Sequence, residues 1–204
     1  MLEAHDLAAR RGHARLFEGL SFSVEPGHAM VVTGANGTGK TTLLRVLAGL
    51  SWPAAGEIRW DNRLVAPFDP AVRASTAYIG HAPALKDELT AVENLTTLLE
   101  LAGECASREA IDGALDAVEL GSRRDLPARV LSQGQRRRIG LARLSLLARP
   151  MWILDEPATA LDSAGVALLG KMIGEHLERG GLAVAATHAP LGLPAPRTQT
   201  MALQ

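Results

Sequence analysis

Gly34-Ala35-Asn36-Gly37-Thr38-Gly39-Lys40-Thr41 restricts what this chain can fold into more than any other stretch. It spells G-x-x-x-x-G-K-[ST], and its flanks suit that spacing. The apolar run Ala29-Met30-Val31-Val32 before it reads as a buried strand, and Leu43, Leu44 and Leu47 give Lys40 to Leu50 helical spacing after it. Glycines tolerate positive φ, so backbone N–H groups can curl around a phosphate, and the helix N-terminus adds a partial positive charge. Gly34, Ala35, Asn36, Gly37, Thr38, Gly39, Lys40, Thr41 and Thr42 are therefore the expected contacts to nucleotide phosphates. Lys40 is expected to bridge the β- and γ-phosphates and Thr41 to present its hydroxyl to Mg²⁺.

A second constraint lies at Met151-Trp152-Ile153-Leu154-Asp155-Glu156, an apolar strand that ends in two acids. A buried strand should not finish on adjacent carboxylates unless a cation or water meets them there. Asp155 is the expected Mg²⁺ ligand, direct or through water, and Glu156 the group that activates the attacking water. A lone Asp-Glu pair also serves as a solvated helix cap; a phosphate loop earlier in the chain favours the catalytic reading.

Around these two motifs the pattern alternates. Leu2 to Ala8, Leu20 to Val24, Glu57 to Trp60, Ser75 to Ile79 and Leu182 to Ala186 read as strands, with a loop containing Pro67 and Pro70. Leu89 to Leu101, Arg108 to Leu120, Ser132 to Ala148 and Ser163 to Leu177 read as helices. The expected fold is α/β: a mostly parallel sheet flanked by helices, with N-terminal antiparallel strands and an inserted helical lobe. A single domain would span 1–204, with a nucleotide-binding core at 1–81 and 151–204 and the lobe at 82–150.

Composition excludes several classes. The net charge of −1 provides no bulk field toward nucleic acid or anionic lipid, and 3% aromatic residues provide no stacking platform for single strands. The one cysteine, Cys105, cannot pair internally, which fits a reducing compartment. No apolar segment approaches the roughly 18 residues that cross a bilayer, and the N-terminus lacks the apolar stretch of a signal peptide. The expectation is a cytoplasmic chain that needs a partner to hold it at any membrane.

Leu131-Ser132-Gln133-Gly134-Gln135 resembles the LSGGQ signature of ABC ATPases and lies between the other two motifs, where that family carries it. Gln133 departs from the usual glycine, at a position where helical φ accepts a side chain. Ser132 is a good helix N-cap. The resemblance implies an ATP- and Mg²⁺-dependent homodimer in which Ser132, Gly134 and Gln135 grip the γ-phosphate held by the other subunit. It extends to Ala160-Leu161-Asp162, similar to the loop that crosses the dimer interface. It also reaches Thr187-His188, similar to the switch histidine that contacts the γ-phosphate, which gives Lys40, Glu156 and His188 as the catalytic set. Two positions depart from the family pattern. His81, after Tyr78-Ile79-Gly80, stands where a Mg²⁺-ligating glutamine is usual and would have to substitute for it as donor or metal ligand. Arg11, before Gly12, stands where an aromatic side chain usually stacks on adenine; its guanidinium either stacks there or is a free surface group.

Within that family the chain resembles the ATP-binding subunit of heme exporters of bacterial cytochrome c maturation. The resemblance runs through Gly80-His81, Glu88 to Leu95, Leu126-Pro127-Ala128-Arg129, Gln135 to Arg138 with Leu141 to Leu144, and Thr187 to Leu191. It implies paired subunits beneath integral-membrane partners, peripheral at the cytoplasmic face of the inner membrane, with no nucleic acid bound. ATP hydrolysis would release a heme-loaded chaperone. The rival readings are another ABC transporter subunit, a soluble ABC ATPase acting on ribosomes or DNA, and a binding module with dead chemistry. Intact Lys40, Asp155 and Glu156 oppose the last.

Overall fold

The structure, a computed structural model, describes residues 1–203. In chain order it places β1 (Leu2–Arg11), β2 (Ala14–Val24), β3 (Ala29–Thr33), α1 (Lys40–Leu47), β4 (Ala55–Trp60), β5 (Arg63–Leu64), α2 (Pro70–Ser75) and β6 (Thr76–Ile79). There follow α3 (Ala91–Leu101), α4 (Arg108–Ala117), α5 (Gln133–Leu146), β7 (Met151–Asp155), α6 (Ser163–Glu178), β8 (Leu182–Ala186) and β9 (Thr198–Ala202).

By density of contacts the chain divides into two units. The first comprises 1–81, 149–156 and 173–204, and holds both sheets. One sheet is antiparallel, in the order β2-β1-β4-β5; the other is parallel, in the order β6-β7-β8-β3-β9. Strand β1 alternates as a half-buried strand should, turning Leu2, Ala4, Leu7 and Ala9 inward. The alternation slips once, at Asp6, where the register shifts and φ is +47°. Strands β7 and β8 are buried along their whole length, which accounts for their unbroken apolar sequences. Leu43, Leu44 and Leu47 of α1 join Met151, Ile153 and Val184 in this core.

The second unit comprises 82–148 and 157–172. Helices α3, α4 and α5 pack on one another and bury Leu95, Leu99, Ile111, Leu115 and Ile139. Their starts follow the sequence signals: Thr90 and Glu93 form a capping box, Ser107 caps α4, and Ser132 with Gln135 forms a second capping box.

Three elements were not read from the sequence. Helix α2 lies in the stretch taken for a loop; Asp69 accepts a bond from the Ala71 N–H at 2.7 Å and Pro70 occupies the first helical position. Strand β5 has only two residues, Arg63 and Leu64, paired with Trp60 and Arg59. Strand β9, with the polar sequence Thr-Gln-Thr, is an edge strand that exists by pairing with β3. Residues 157–172, which the sequence placed with the core, group with the helical unit, where Asp162 accepts a bond from Arg138.

Candidate active site

Four parallel strands finish at one level. Val32 of β3 pairs with Ala186 of β8, Ala186 pairs with Asp155 of β7, and Leu154 pairs with Ile79 of β6. The residues that leave the sheet there are Gly34, Thr187-His188, Glu156 and Gly80-His81. Register alone thus gathers motifs separated by more than a hundred residues at the carboxyl edge, where open parallel sheets bind ligands.

A cavity of about 400 Å³ opens on that edge. Asn36, Gly37, Gly39, Lys40, Thr41 and Thr42 line it from the glycine-rich loop, and Asp155 and Glu156 from β7. Arg11 and His81 line it from outside the loop, together with Leu16. Gly34, Ala35 and Thr38 shape the loop itself: the Thr38 hydroxyl donates to the Ala35 carbonyl at 3.0 Å. Two glycines are sterically required. A Cβ on Gly34 would lie 2.5 Å from the Leu203 carbonyl oxygen, and one on Gly39 would lie 3.0 Å from the Leu16 Cβ at a φ of +101°. No side chain caps the N-terminus of α1, so its first N–H groups remain for an anion.

Lys40 is buried, and all three of its ammonium hydrogens have acceptors: the Gly34 carbonyl at 2.6 Å, the Ala35 carbonyl at 3.1 Å and His188 Nε2 at 3.1 Å. Accepting from Lys40 requires an unprotonated Nε2, so the proton of neutral His188 sits on Nδ1. His188 Nε2 is also 3.4 Å from Glu156 Oε1 and, in that tautomer, cannot donate to it. Glu156 has φ +48°, a left-handed conformation unusual for a side chain of its size, and its N–H donates to the Ala186 carbonyl at 2.8 Å. Strain of this kind, about 1–3 kcal/mol, gathers where function dictates side-chain direction.

Asp155 is 1% exposed, and its Oδ2 has no hydrogen-bond partner. A buried, unpartnered carboxylate oxygen is costly, and a cation relieves that cost. Among the described residues no three His, Cys, Asp or Glu side chains cluster to hold a metal alone. This donor set suits a small hard ion that takes most of its ligands from phosphate and water. Burial and the Asp155 carboxylate push the Tyr78 hydroxyl above its ordinary range, with Arg45 opposing. Tyr78 therefore sits beside Asp155, a neighbour that its place in an apolar strand did not signal.

The second unit carries its own polar cavity, of about 330 Å³. One wall is Ser132, Gly134 and Gln135 at the start of α5, and the other includes Glu119, Arg138 and Ala160–Asp162. Ser132 Oγ accepts from the Gln135 N–H at 3.2 Å, and Gln135 Oε1 accepts from the Ser132 N–H at 2.9 Å. The Ser132 hydroxyl proton and the Gln135 amide hydrogens remain available to a ligand. Sequence reading missed Glu119, and it took Arg138 only as part of the Gln135 to Arg138 resemblance, not as a buried residue; Arg138 lies one helical turn beyond Gly134, a spacing that only becomes a signal once the helix is established.

Residues 17–159 match the family model described as ABC transporter. The chain is 47% identical, over 98% of its length and 99% of the other's, to the cytochrome c biogenesis ATP-binding export protein CcmA of Pseudomonas aeruginosa. It is 49% identical to the protein of the same name from Dechloromonas aromatica, over 96% of each. Among solved structures, a putative ABC transporter (ATP-binding protein) from Pyrococcus furiosus superposes with a TM-score of 0.85 at 24% identity, covering 99% of this chain and 96% of that one. A dimeric ATP-binding cassette in a post-hydrolysis state, bound to ADP and Pi, matches with a TM-score of 0.79 at 25% identity, covering 93% and 88%.

Proposed function

The chain belongs to the ABC transporter ATPase family, and from that premise we propose that it hydrolyses ATP as the engine subunit of a membrane export complex serving cytochrome c biogenesis, with heme as the pathway's cargo. The observation that carries this reading is near-full-length identity of 47–49% to proteins that bear that name, and it is supported by a cavity lined by Lys40, Thr41, Asp155 and Glu156. No helix among the described residues is long and apolar enough to cross a membrane. Attachment therefore falls to integral-membrane partner subunits, at the cytoplasmic face of a bacterial inner membrane.

The chemistry follows from the contacts. An arriving triphosphate competes for Lys40, whose present acceptors are two loop carbonyls and one imidazole nitrogen. A charge-assisted bond to phosphate outbids neutral acceptors. Once Lys40 turns to the β- and γ-phosphates, His188 Nε2 is released and, in the tautomer that carries its proton there, can donate to the γ-phosphate. Glu156 accepts a proton from the attacking water as its oxygen bonds to the γ-phosphorus and the bond to the β-phosphate oxygen breaks. Mg²⁺, held by Thr41 and Asp155 with His81 on the same cavity wall, would neutralise phosphate charge. Arg11 lines the outer end, where its guanidinium can stack on adenine.

The capped start of α5 offers an N–H cluster, a hydroxyl and an amide to a phosphate, but in the second unit. Ser132, Gly134 and Gln135 complete the site on a second copy of the chain, an arrangement supported by the dimeric relative with ADP and Pi. Purification of the native complex tests the reading. We expect ATPase activity and integral-membrane subunits to co-elute, and a deletion strain to lack heme-stained c-type cytochromes. ATPase activity with normal cytochromes would retain the family and remove the pathway.

A further inference from the structure

Away from the phosphate cavity, a polar cluster in the second unit centres on Arg138 of α5. Its side chain is 10% exposed and reaches three acceptors on two segments, while the carboxylates of Glu119 and Asp162 are 67% and 69% exposed. It donates to the Val118 carbonyl at 3.1 Å, to the Glu119 carboxylate, and to Asp162 Oδ1 at 3.0 Å. The same Asp162 oxygen accepts the Gly165 N–H at 2.9 Å, so it caps the start of α6 while anchoring the guanidinium. That N–H and Arg138 together hold the Asp162 carboxyl below its usual range.

Two features say this cluster is more than solvated charge. Glu119 closes α4 at φ +60°, with the Leu120 N–H donating back to the Leu115 carbonyl at 2.8 Å. That helix-ending position favours glycine, and closing the helix does not need a carboxylate. A Glu held there in a left-handed conformation marks a charge wanted at that spot. The second feature is a close approach: a Cβ on Gly134 would lie 2.6 Å from the Ala160 carbonyl oxygen. The start of α5 and the Ala160–Asp162 loop thus touch backbone to backbone, with Arg138 as the bracket behind the contact. Both border the cavity that Ser132 and Gln135 line.

We propose that Arg138 is a positioning residue: its paired carboxylate bonds fix the Ala160–Asp162 loop against Gly134, so that the α5 N-terminus and the loop meet a second copy's triphosphate as one rigid surface. The inference rests on the reading of Leu131–Gln135 as a half-site for nucleotide bound by another subunit. Arg138 also neutralises two carboxylates that would otherwise repel that triphosphate. Lysine is a poor replacement, because its compact ammonium lacks the planar fork that sends one nitrogen to the Val118 carbonyl and Glu119 and the other to Asp162.

The test uses the full chain in a Glu156→Gln background, where bound ATP persists. Asp162→Asn is the informative change, since Asn still caps α6 but surrenders the ion pair. We expect Mg-ATP affinity of the monomer, by calorimetry, to stay within about twofold. ATP-driven dimerisation, by sedimentation, should weaken about tenfold or more for both Asp162→Asn and Arg138→Lys. A tenfold change is of the size seen when one charge-assisted hydrogen bond is lost. A purely structural role would lower the melting temperature and leave the dimerisation constant of the folded protein unchanged, which overturns the proposal. Should the Glu156→Gln parent itself stay monomeric at saturating Mg-ATP, the half-site reading falls first and takes this inference with it.

Discussion

Lys40 gives its three ammonium hydrogens to two loop carbonyls and the His188 imidazole, so phosphate binding at this residue is an exchange of acceptors. The gain comes from the negative charge on phosphate oxygens, which attracts the ammonium where two carbonyls and an imidazole carry none. Lys40→Ala should therefore lower ATP affinity at least about a hundredfold in a folded protein, as read by calorimetric titration; unchanged affinity would refute the loop's assignment. Glu156, at φ +48° and beside His188, is proposed to act on the attacking water rather than on the bound nucleotide. Glu156→Gln keeps volume and one acceptor oxygen but loses the base. It should retain ATP binding, cut turnover by about 10² to 10⁴, and trap a dimer with Mg-ATP. Turnover above a tenth of the parent's would remove Glu156 from the role of base.

Among the elements, the first turn of α5 combines a capped helix start with a backbone contact to Ala160, and its tolerance is correspondingly small. Gly134→Ala asks a Cβ to fit 2.6 Å from a carbonyl oxygen, so helix and loop must part. Phosphate binding in the first unit should survive, whereas ATPase activity should fall about a hundredfold, because misplacements near 1 Å cost that much in an assembled site. Steady-state ATPase assays beside monomer binding separate the two effects. In the first unit, Trp152 of β7 stacks on His176 of α6 at 3.9 Å, and His176 Nε2 meets the Leu182 carbonyl at 3.2 Å. Burial depresses the His176 pKa below 6.5, against the pull of the Leu182 and Pro150 carbonyls and helped by Arg179. The unfolded chain therefore takes up this proton first as pH drops. The contribution of His176 is fully present above about pH 6.5 and is lost as pH falls through the depressed folded value. Melting temperatures from pH 7.5 to 5 should decline less steeply in His176→Phe than in the parent, and equal slopes would refute the assignment.

At the scale of the molecule, the phosphate loop and the two acids sit in one unit and the Leu131–Gln135 turn in the other, and on the proposed reading the turn completes the site of a second copy. The work of hydrolysis must then be read through partners. Cells carrying only the Glu156→Gln form should lose mature c-type cytochromes while the periplasmic chaperone still acquires heme and accumulates loaded. Hydrolysis placed after loading strands the intermediate instead of preventing it. Heme staining of membrane proteins, with a blot for the loaded chaperone, reads both outcomes. Normal cytochromes would remove the pathway, and lost cytochromes without loaded chaperone would move ATP to an earlier step.

Short-range patterns made much of this molecule legible before any coordinates. The glycine spacing of 34–41, the apolar strand ending at Asp155-Glu156, the Ser132 cap and the buried strands each depend on residues within one turn or one strand, where backbone sterics and hydrogen bonding act locally. The α/β fold and the ABC assignment followed from the order of those pieces. Tertiary structure alone decided what lies behind them. The Leu203 carbonyl against Gly34, the edge strand β9, the lone Oδ2 of Asp155 beside Tyr78, and the Arg138 bracket all join residues distant in sequence. Helix α2 is the exception, since Asp69-Pro70 was a readable start that the surrounding prolines disguised. Nothing in a single chain's periodicity encodes which distant carbonyl will face a given glycine or which acid will meet a given arginine. Those pairings arise only when strand register brings the ends together and burial makes each unpartnered polar group costly.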